Sequence, residues 1–333
     1  MGYALKETEF RYRAWTKEGK WQKGALTTDK NITIHEGSNV FHYGQALFEG
    51  LKAYRTKDGR VQLFRPDLNF ERINKGLERL VAPQLSKELF YEAIEAVVKA
   101  NVVDIPEYGK GQSLYIRPFV IGQGMNLGVK PSDEYLFSVF CAPVGTYFKG
   151  GLSALEFVTT QYDRAASNGT GQVKVAGNYA ASLYPRQLAK DAGYAGVIYL
   201  DPPTHSKIDE VGAANFFAIT HDNVVVTPKS DSILPSITRK SILWIAENML
   251  GLKVEERECF IDNISEFKEA GACGTAAIIT PIKAITHNGH RHQFGEGNVG
   301  ETIKKLYDLL LGIYYGDIEA PEGWIYEVKN DKK

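Results

Sequence analysis

Strand-like and helix-like segments follow one another along these 333 residues without a regular strand–helix–strand beat. That irregular order constrains the fold most. A doubly wound parallel sheet needs a crossover helix after nearly every strand, whereas runs of strands broken by occasional helices build α+β domains. Residues 8–64 read as strand-rich. Leu51–Tyr54 and Val61–Phe64 flank Thr56-Lys57-Asp58-Gly59, a hairpin signal because Asp-Gly accepts the positive φ of a tight turn. Arg65-Pro66-Asp67 opens a helix with Leu68, Ile73, Leu77 and Leu80 near one face, and a second helix begins at Ser86. There Leu89, Phe90, Ala93, Ile94, Val97 and Val98 form a wide apolar stripe that belongs in a core.

Strands are expected over Ser113–Ile121 and Tyr135–Cys141, on either side of Gly122–Val129. No helix follows those glycines, so they carry little as a dinucleotide loop. Glycines punctuate Pro143–Gly151, and the length suits about two domains. The division expected is a smaller α+β domain at 1–147, a linker at 148–158 and a larger domain at 159–333. In the larger domain, strands are predicted at Leu155–Thr160, Gly196–Leu200, Phe216–Thr220, Val224–Thr227 and Ala276–Thr280. A helix over Tyr179–Ala192 is interrupted at Pro185, another runs Ile237–Leu250 and stops at Gly251, and a short one covers Ile264–Ala270.

A net charge of −1 without Lys/Arg runs argues against nucleic acid, and the apolar runs are far too short for a membrane span. The first residues lack a basic start with an apolar block. Gly2 is followed by Lys6 where a myristoylation signal needs Ser or Thr. Cys141, Cys259 and Cys273 are few, odd in number and widely spaced, as suits reduced thiols in the cytoplasm. His287, His290 and His292 cluster in a polar turn without other ligands at metal spacing, and no metal site is expected there.

Four stretches carry chemistry. Gly171-Gln172-Val173-Lys174-Val175-Ala176-Gly177-Asn178-Tyr179 sets one lysine among small and apolar residues. Desolvation there would lower the amine's pKa and free its lone pair, although these nine residues fit a solvated loop lysine equally well. Glu210-Val211-Gly212-Ala213-Ala214-Asn215-Phe216-Phe217 leads a carboxylate into a strand, as an ordinary turn acid also would. Leu234-Pro235-Ser236-Ile237-Thr238-Arg239 puts hydroxyls at a helix start, where free N–H groups favour a phosphate or merely a cap. Ala272-Cys273-Gly274-Thr275-Ala276 offers close backbone approach beside a hydroxyl.

Glu210, Asn215-Phe216-Phe217, Val225-Val226-Thr227 and Leu234 to Arg239 together resemble the signature of the class IV aminotransferases, pyridoxal-phosphate enzymes of fold type IV. Within that class His42 to Lys52, Phe64-Arg65-Pro66, Leu114-Tyr115-Ile116-Arg117-Pro118, Leu127-Gly128-Val129 and Lys174 to Tyr179 look like the branched-chain amino acid aminotransferases. The likeness runs from about Tyr12 to Gly312. It implies a D-amino acid aminotransferase-like fold of two domains with pyridoxal 5'-phosphate between them, and amino transfer from leucine, isoleucine or valine to 2-oxoglutarate, giving L-glutamate. Other class IV enzymes, such as a D-amino acid aminotransferase or an aminodeoxychorismate lyase, would keep Lys174, Glu210 and the phosphate cups. A non-catalytic binder would need neither of those two residues.

By this resemblance Lys174 would hold the cofactor through its amine and then act as the catalytic base. Glu210 would face the pyridine nitrogen and Tyr179 the ring oxygen. Arg65, Ser236, Ile237, Thr238, Gly274 and Thr275 would take the phosphate. Tyr43, Phe48, Tyr115 and Tyr147 would line the substrate pocket, Arg117 would meet the glutamate side chain, and Thr275 and Ala276 the α-carboxylate. Leu127 and Val129 would reach a neighbouring subunit's pocket, implying a homodimer or dimer-based oligomer. Mammalian members carry a redox Cys-x-x-Cys where this chain has Ala277 and Thr280, so no thiol switch is expected.

Overall fold

The computed structural model describes residues 5–146 and 151–329. The chain divides into two compact units, one of 1–147, 173–177 and 313–333, the other of 148–172 and 178–312. The two units are interleaved in sequence, unlike the continuous 159–333 expected for the second domain. Two pairings account for it. Val175 bridges to Leu47, and Ile325–Glu327 adds a strand beside Val61–Phe64.

The first unit is built on a nine-stranded antiparallel sheet. Its main path runs Ile325–Glu327, Val61–Phe64, Leu51–Arg55, Ser113–Gln123, Glu134–Val144, Arg11–Lys17 and Lys20–Trp21. The Thr56–Gly59 hairpin forms as its residues require, with Gly59 at φ 85° and Thr56 N donating to Arg60 O at 2.9 Å. Helices Pro66–Arg79 and Lys87–Ala100 supply Ile73, Leu77, Phe90, Ile94 and Val97 to a core shared with Leu51, Ala53, Leu63, Leu114 and Ile116. Ser86 caps the second helix by accepting from Leu89 N at 3.1 Å. Side chains alternate across a strand. With Leu51, Ala53, Leu114 and Ile116 committed to that core, Lys52, Tyr54, Tyr115 and Arg117 therefore project from the opposite face.

The second unit holds a nine-stranded mixed sheet that closes on itself. Ile208–Val211, Gly196–Leu200, Leu155–Thr159, Ile278–His287, Phe267–Gly274 and Ala214–Thr220 form a ring, shut by pairing of the first with the last. The ring encloses a core of Ile198, Phe216, Ala218, Phe267, Ala272 and Ile282, and Val225–Pro228, Val254–Arg257 and His290–Gln293 pair outside it.

Two expectations are corrected here. The helix predicted over Ile264–Ala270 is a 3-10 turn at Ile261–Glu266 followed by the strand Phe267–Gly274. Small residues permit this central strand: a Cβ on Gly271 would lie 2.8 Å from the Phe217 ring. The helix predicted over Tyr179–Ala192 is two, Ala176–Ala181 and Leu183–Asp191, and the break falls at Ser182. Pro185 lies in the first turn of the second helix, where a missing N–H costs nothing.

Helix Ile237–Asn248 starts at Ser236, whose side chain accepts from Arg239 N at 3.1 Å, and Gly251 beyond its end has φ 65°. Among the described residues no helix is long and apolar enough to cross a membrane.

Candidate active site

The first unit gathers its chemistry around Lys174. The lysine's carbonyl accepts from Phe48 N at 3.2 Å, and its Nζ lies 4.9 Å from the centre of the Phe48 ring. Arg117 stacks over Phe48 at 4.7 Å and over Tyr115 at 5.1 Å, and donates to the Tyr115 hydroxyl at 3.0 Å. A Cβ on Gly50 would sit 2.1 Å from that hydroxyl, so only glycine lets Tyr115 stand there.

Lys174 keeps part of its surface accessible, yet its ammonium is disfavoured. Burial pushes its pKa down to about 8; Arg72 adds to this, Glu49 and Tyr115 oppose it, and Arg117 contributes a little more lowering. An amine so placed is a nucleophile near neutral pH, whereas an ordinary lysine is not. Glu49, next to Phe48 in the chain and with no accessible surface, receives Arg72 in a two-pronged pair at 2.7 and 2.8 Å and Asn69 at 2.7 Å.

Arg65 sits half-buried at the head of the helix that carries Asn69 and Arg72. It takes a left-handed φ of 48°, its N donates to Trp324 O at 2.7 Å, and its guanidinium lies 4.5 Å over the Trp324 ring. A non-glycine residue held in that region stores of order 1–3 kcal/mol, a strain that gathers at functional sites.

Lys52 occupies the same sheet face, directly opposite Tyr115 in register, and burial lowers its pKa to about 7. The unfolded chain keeps that proton up to a pH of about 10.4. Between pH 7 and 10 the unfolded state therefore binds more protons, and folding stability rises with pH there. Lys52→Met is accordingly expected to raise the melting temperature by several degrees at pH 7, with the gain shrinking toward pH 10. Thermal melts of both proteins across that range check it.

The second unit gathers its chemistry around Glu210, 3% exposed. Arg164 Nε meets one carboxylate oxygen at 2.5 Å; Asn215 Nδ2 at 2.9 Å and Leu234 N at 2.8 Å donate to the other. Arg164 is itself tied to the carbonyls of Gly171, at 2.8 Å, and Ser232. A Cβ on Gly171 would come within 2.2 Å of Ser232 O, so this glycine is required for the approach. Tyr199, Glu210, Asn215 and Cys273 lie side by side across neighbouring strands.

The Leu234 contact brings the start of helix Ile237–Asn248 close to Glu210, with Ser236, Ile237 and Thr238 all buried. Just past Cys273, Gly274 pairs with Ile278 around the turn Thr275-Ala276-Ala277. Ile278 stands at φ 66°, a strained conformation for a β-branched residue. Tyr179 lies in the short helix Ala176–Ala181, where its carbonyl accepts from Ser182.

Tyr43, Leu127 and Val129 form a separate exposed group. Tyr43 donates to the Leu127 carbonyl, and Asn39 Nδ2 to Lys130 O at 2.7 Å, so the loop is pinned while Leu127 and Val129 are 93% and 87% exposed. Tyr147 lies outside the described residues. Sequence reasoning gave no role to Arg164, Asn69 or Arg72, and quoted Glu49 without assigning one. Only burial of those polar groups reveals them.

Residues 46–285 match the family model for amino-transferase class IV. The chain is 56% identical to the branched-chain-amino-acid aminotransferase of Haemophilus influenzae, covering 99% of this chain and 98% of that one. It is also 56% identical to the enzyme of that name from Helicobacter pylori, covering 98% and 96%. It belongs to the branched-chain amino acid aminotransferases of class IV. Among solved structures, the Escherichia coli branched-chain amino acid aminotransferase superposes with a TM-score of 0.82 at 27% identity, covering 97% of this chain and all of that one. The T.th. branched-chain amino acid aminotransferase with pyridoxamine 5'-phosphate gives 0.82 at 25%, covering 98% and 100%.

This aminotransferase is thus a pyridoxal-phosphate transaminase, and its donor set suits that cofactor. The chain offers a lysine with lowered pKa, a buried carboxylate kept by an arginine, and a helix N-terminus beside that carboxylate. In the Glu210 cluster the Asn215 Oδ1 atom is buried without a hydrogen-bond partner among the described residues, leaving acceptor capacity there.

Proposed function

We propose that the chain catalyses reversible transfer of the amino group from L-leucine, L-isoleucine or L-valine to 2-oxoglutarate, giving the branched-chain 2-oxo acid and L-glutamate. The observation that carries this is the wall beside Lys174, where the Phe48 and Tyr115 rings share one surface with the Arg117 guanidinium. The rings suit a branched aliphatic side chain. The guanidinium, held by Tyr115, suits the side-chain carboxylate of glutamate.

Pyridoxal phosphate supplies the carbonyl that captures the amino group and the ring that takes up the electrons of the broken Cα–H bond. Lys174 anchors it and, once freed, accepts the Cα proton of the donor; an amine with a pKa of about 8 can both take and return a proton near neutrality. Glu210, paired with Arg164, would accept the pyridine N–H. Arg65, the Ser236–Thr238 helix start, Gly274 and Thr275 are the residues that would hold the phosphate. Tyr179 would bind the ring oxygen, and Thr275 with Ala276 would receive the α-carboxylate. Tyr43, Leu127 and Val129, exposed on one pinned loop system, serve the site of a second subunit in a homodimer. Three buried free thiols suit a cytoplasmic setting.

A panel of amino donors with 2-oxoglutarate as acceptor tests the reading. L-leucine, L-isoleucine and L-valine are expected to turn over, with glutamate formed in equal amount. Turnover of D-alanine without any of the three overturns the substrate assignment.

A further inference from the structure

Glu49 and Arg72 have no part in the steps above, yet they form a buried ion pair. Glu49 stands at the corner between Ala46–Phe48 and Leu51–Arg55. Arg72 Nε reaches one oxygen at 2.7 Å, while Arg72 Nη2 at 2.8 Å, Asn69 Nδ2 at 2.7 Å and Gly50 N at 3.2 Å reach the other. Stability is a weak reason for such a pair, because apolar residues of similar volume often serve a core as well or better.

Its position supplies a better reason. Phe48, next to Glu49, holds the Lys174 carbonyl and sets its ring against the Lys174 amine. The ionisable groups acting on that amine are Arg72 from the helix Pro66–Arg79, Glu49 from the strand corner, and Tyr115 and Arg117 from Ser113–Gln123. Glu49 is a constant charge among them. Burial pushes its carboxyl up, but the Arg72 charge and hydrogen bonds, with Lys174 and Asn69, hold it below the usual carboxylate range.

We propose that Glu49 and Arg72 are positioning residues that fix the charge state of the Lys174 amine, Arg72 opposing the ammonium form and Glu49 offsetting it. Without Glu49 the guanidinium would stand uncompensated beside the amine. Without Arg72 the carboxylate would claim the lysine as its own counter-ion, and the amine would be held protonated. The pair thereby lets one lysine both take and give a proton. This rests on the reading that Lys174 is the residue that carries the cofactor.

The test is the pH profile of Lys174 acetylation by acetic anhydride in the full-length chain freed of cofactor, read by mass spectrometry of the Lys174 peptide. Glu49→Gln is expected to lower the midpoint and Arg72→Gln to raise it, whereas the charge-preserving Arg72→Lys leaves it near about 8. A fall of about one unit in Glu49→Gln makes acetylation at pH 7 about five-fold faster. A purely structural pair moves both variants the same way or neither. Displacement of both in one direction, or an unmoved midpoint in whichever of the two folds, overturns the proposal. The titration reads the lysine without any amino donor. If the donor panel fails while the opposite displacements stand, the substrate reading falls and the electrostatic assignment survives.

Discussion

Lys174→Ala is expected to abolish transamination while leaving a protein that still binds pyridoxal phosphate, now without a covalent link. The lysine serves twice in the proposed function, as anchor and as base. Loss of a general base alone lowers rates by about two to four orders of magnitude. Loss of the anchor adds a slower capture of the amino donor, so turnover should fall by at least about 10⁴-fold. Binding should persist because the proposed function gives the phosphate and ring contacts to other residues, among them the Ser236-capped helix start and Glu210. Folding should survive as well, since the backbone bond from Phe48 N to Lys174 O does not involve the side chain. Steady-state assays with L-leucine and 2-oxoglutarate measure the loss, and borohydride treatment reports the link. Borohydride should fix cofactor to the parent chain and release it unbound from the variant. Near-normal turnover in the variant would mean that another lysine does this work.

The lysine stretch illustrates how far a sequence carries such a prediction. Its small neighbours suggest a crowded amine, but a solvated loop would have the same composition. What separates the two is the set of residues packed around it, and those lie far away in the chain. Glu49 and Arg72 are 23 residues apart. Arg164 is remote from Glu210 and reaches it because Gly171 permits a close backbone approach at Ser232. No local pattern marks an arginine as a buried counter-ion, because its role is defined only when the sheets have closed.

The same division between local and remote causes runs through the fold. Helices Pro66–Arg79 and Lys87–Ala100 are legible because Pro66, Ser86 and an apolar stripe all act within a few residues. The Thr56–Gly59 hairpin is legible for the same reason. The helix Glu301–Tyr315 went unpredicted, and its start is capped from elsewhere, Glu269 accepting from Ile303 N at 2.9 Å and Thr302 N at 3.2 Å. Phe267–Gly274 is a strand because it lies between two partner strands, Ala214–Thr220 and Ile278–His287. Its Ala- and Gly-rich sequence does not announce that burial, and Lys268, Glu269 and Ala270 read locally as helix formers. Closure of the second unit's sheet likewise depends on pairings between strands that no periodicity connects.

Glu210→Gln is the companion prediction, and its expected effect is a loss of turnover without loss of the site. The carboxylate is buried at 3% exposure and accepts from Arg164, Asn215 and Leu234 N, three donors on two oxygens. Glutamine keeps the shape but turns one of those oxygens into a donor. If its amide nitrogen faces Arg164, a donor meets a guanidinium. If it faces Asn215 and Leu234 N, a donor meets two N–H groups. Either arrangement leaves a buried donor unsatisfied and costs about 1–3 kcal/mol of stability, and exchanging a charged for a neutral acceptor at the pyridine N–H should weaken cofactor binding by about 10-fold. The chemical effect is larger in kind. A neutral amide cannot keep the pyridine nitrogen protonated as a carboxylate does, so the negative charge that develops as the Cα proton leaves is poorly accommodated. Removing one preorganised electrostatic partner of this sort costs about 10²–10³ in kcat. The measurement is kcat for L-leucine at saturating pyridoxal phosphate, which separates the weakened binding from the chemistry. A primary isotope effect with Cα-deuterated leucine should grow in the variant, because proton removal becomes the slow step. A kcat equal to the parent's at saturating cofactor would remove Glu210 from the ring nitrogen and leave the Arg164–Glu210 pair a structural tie of the second unit.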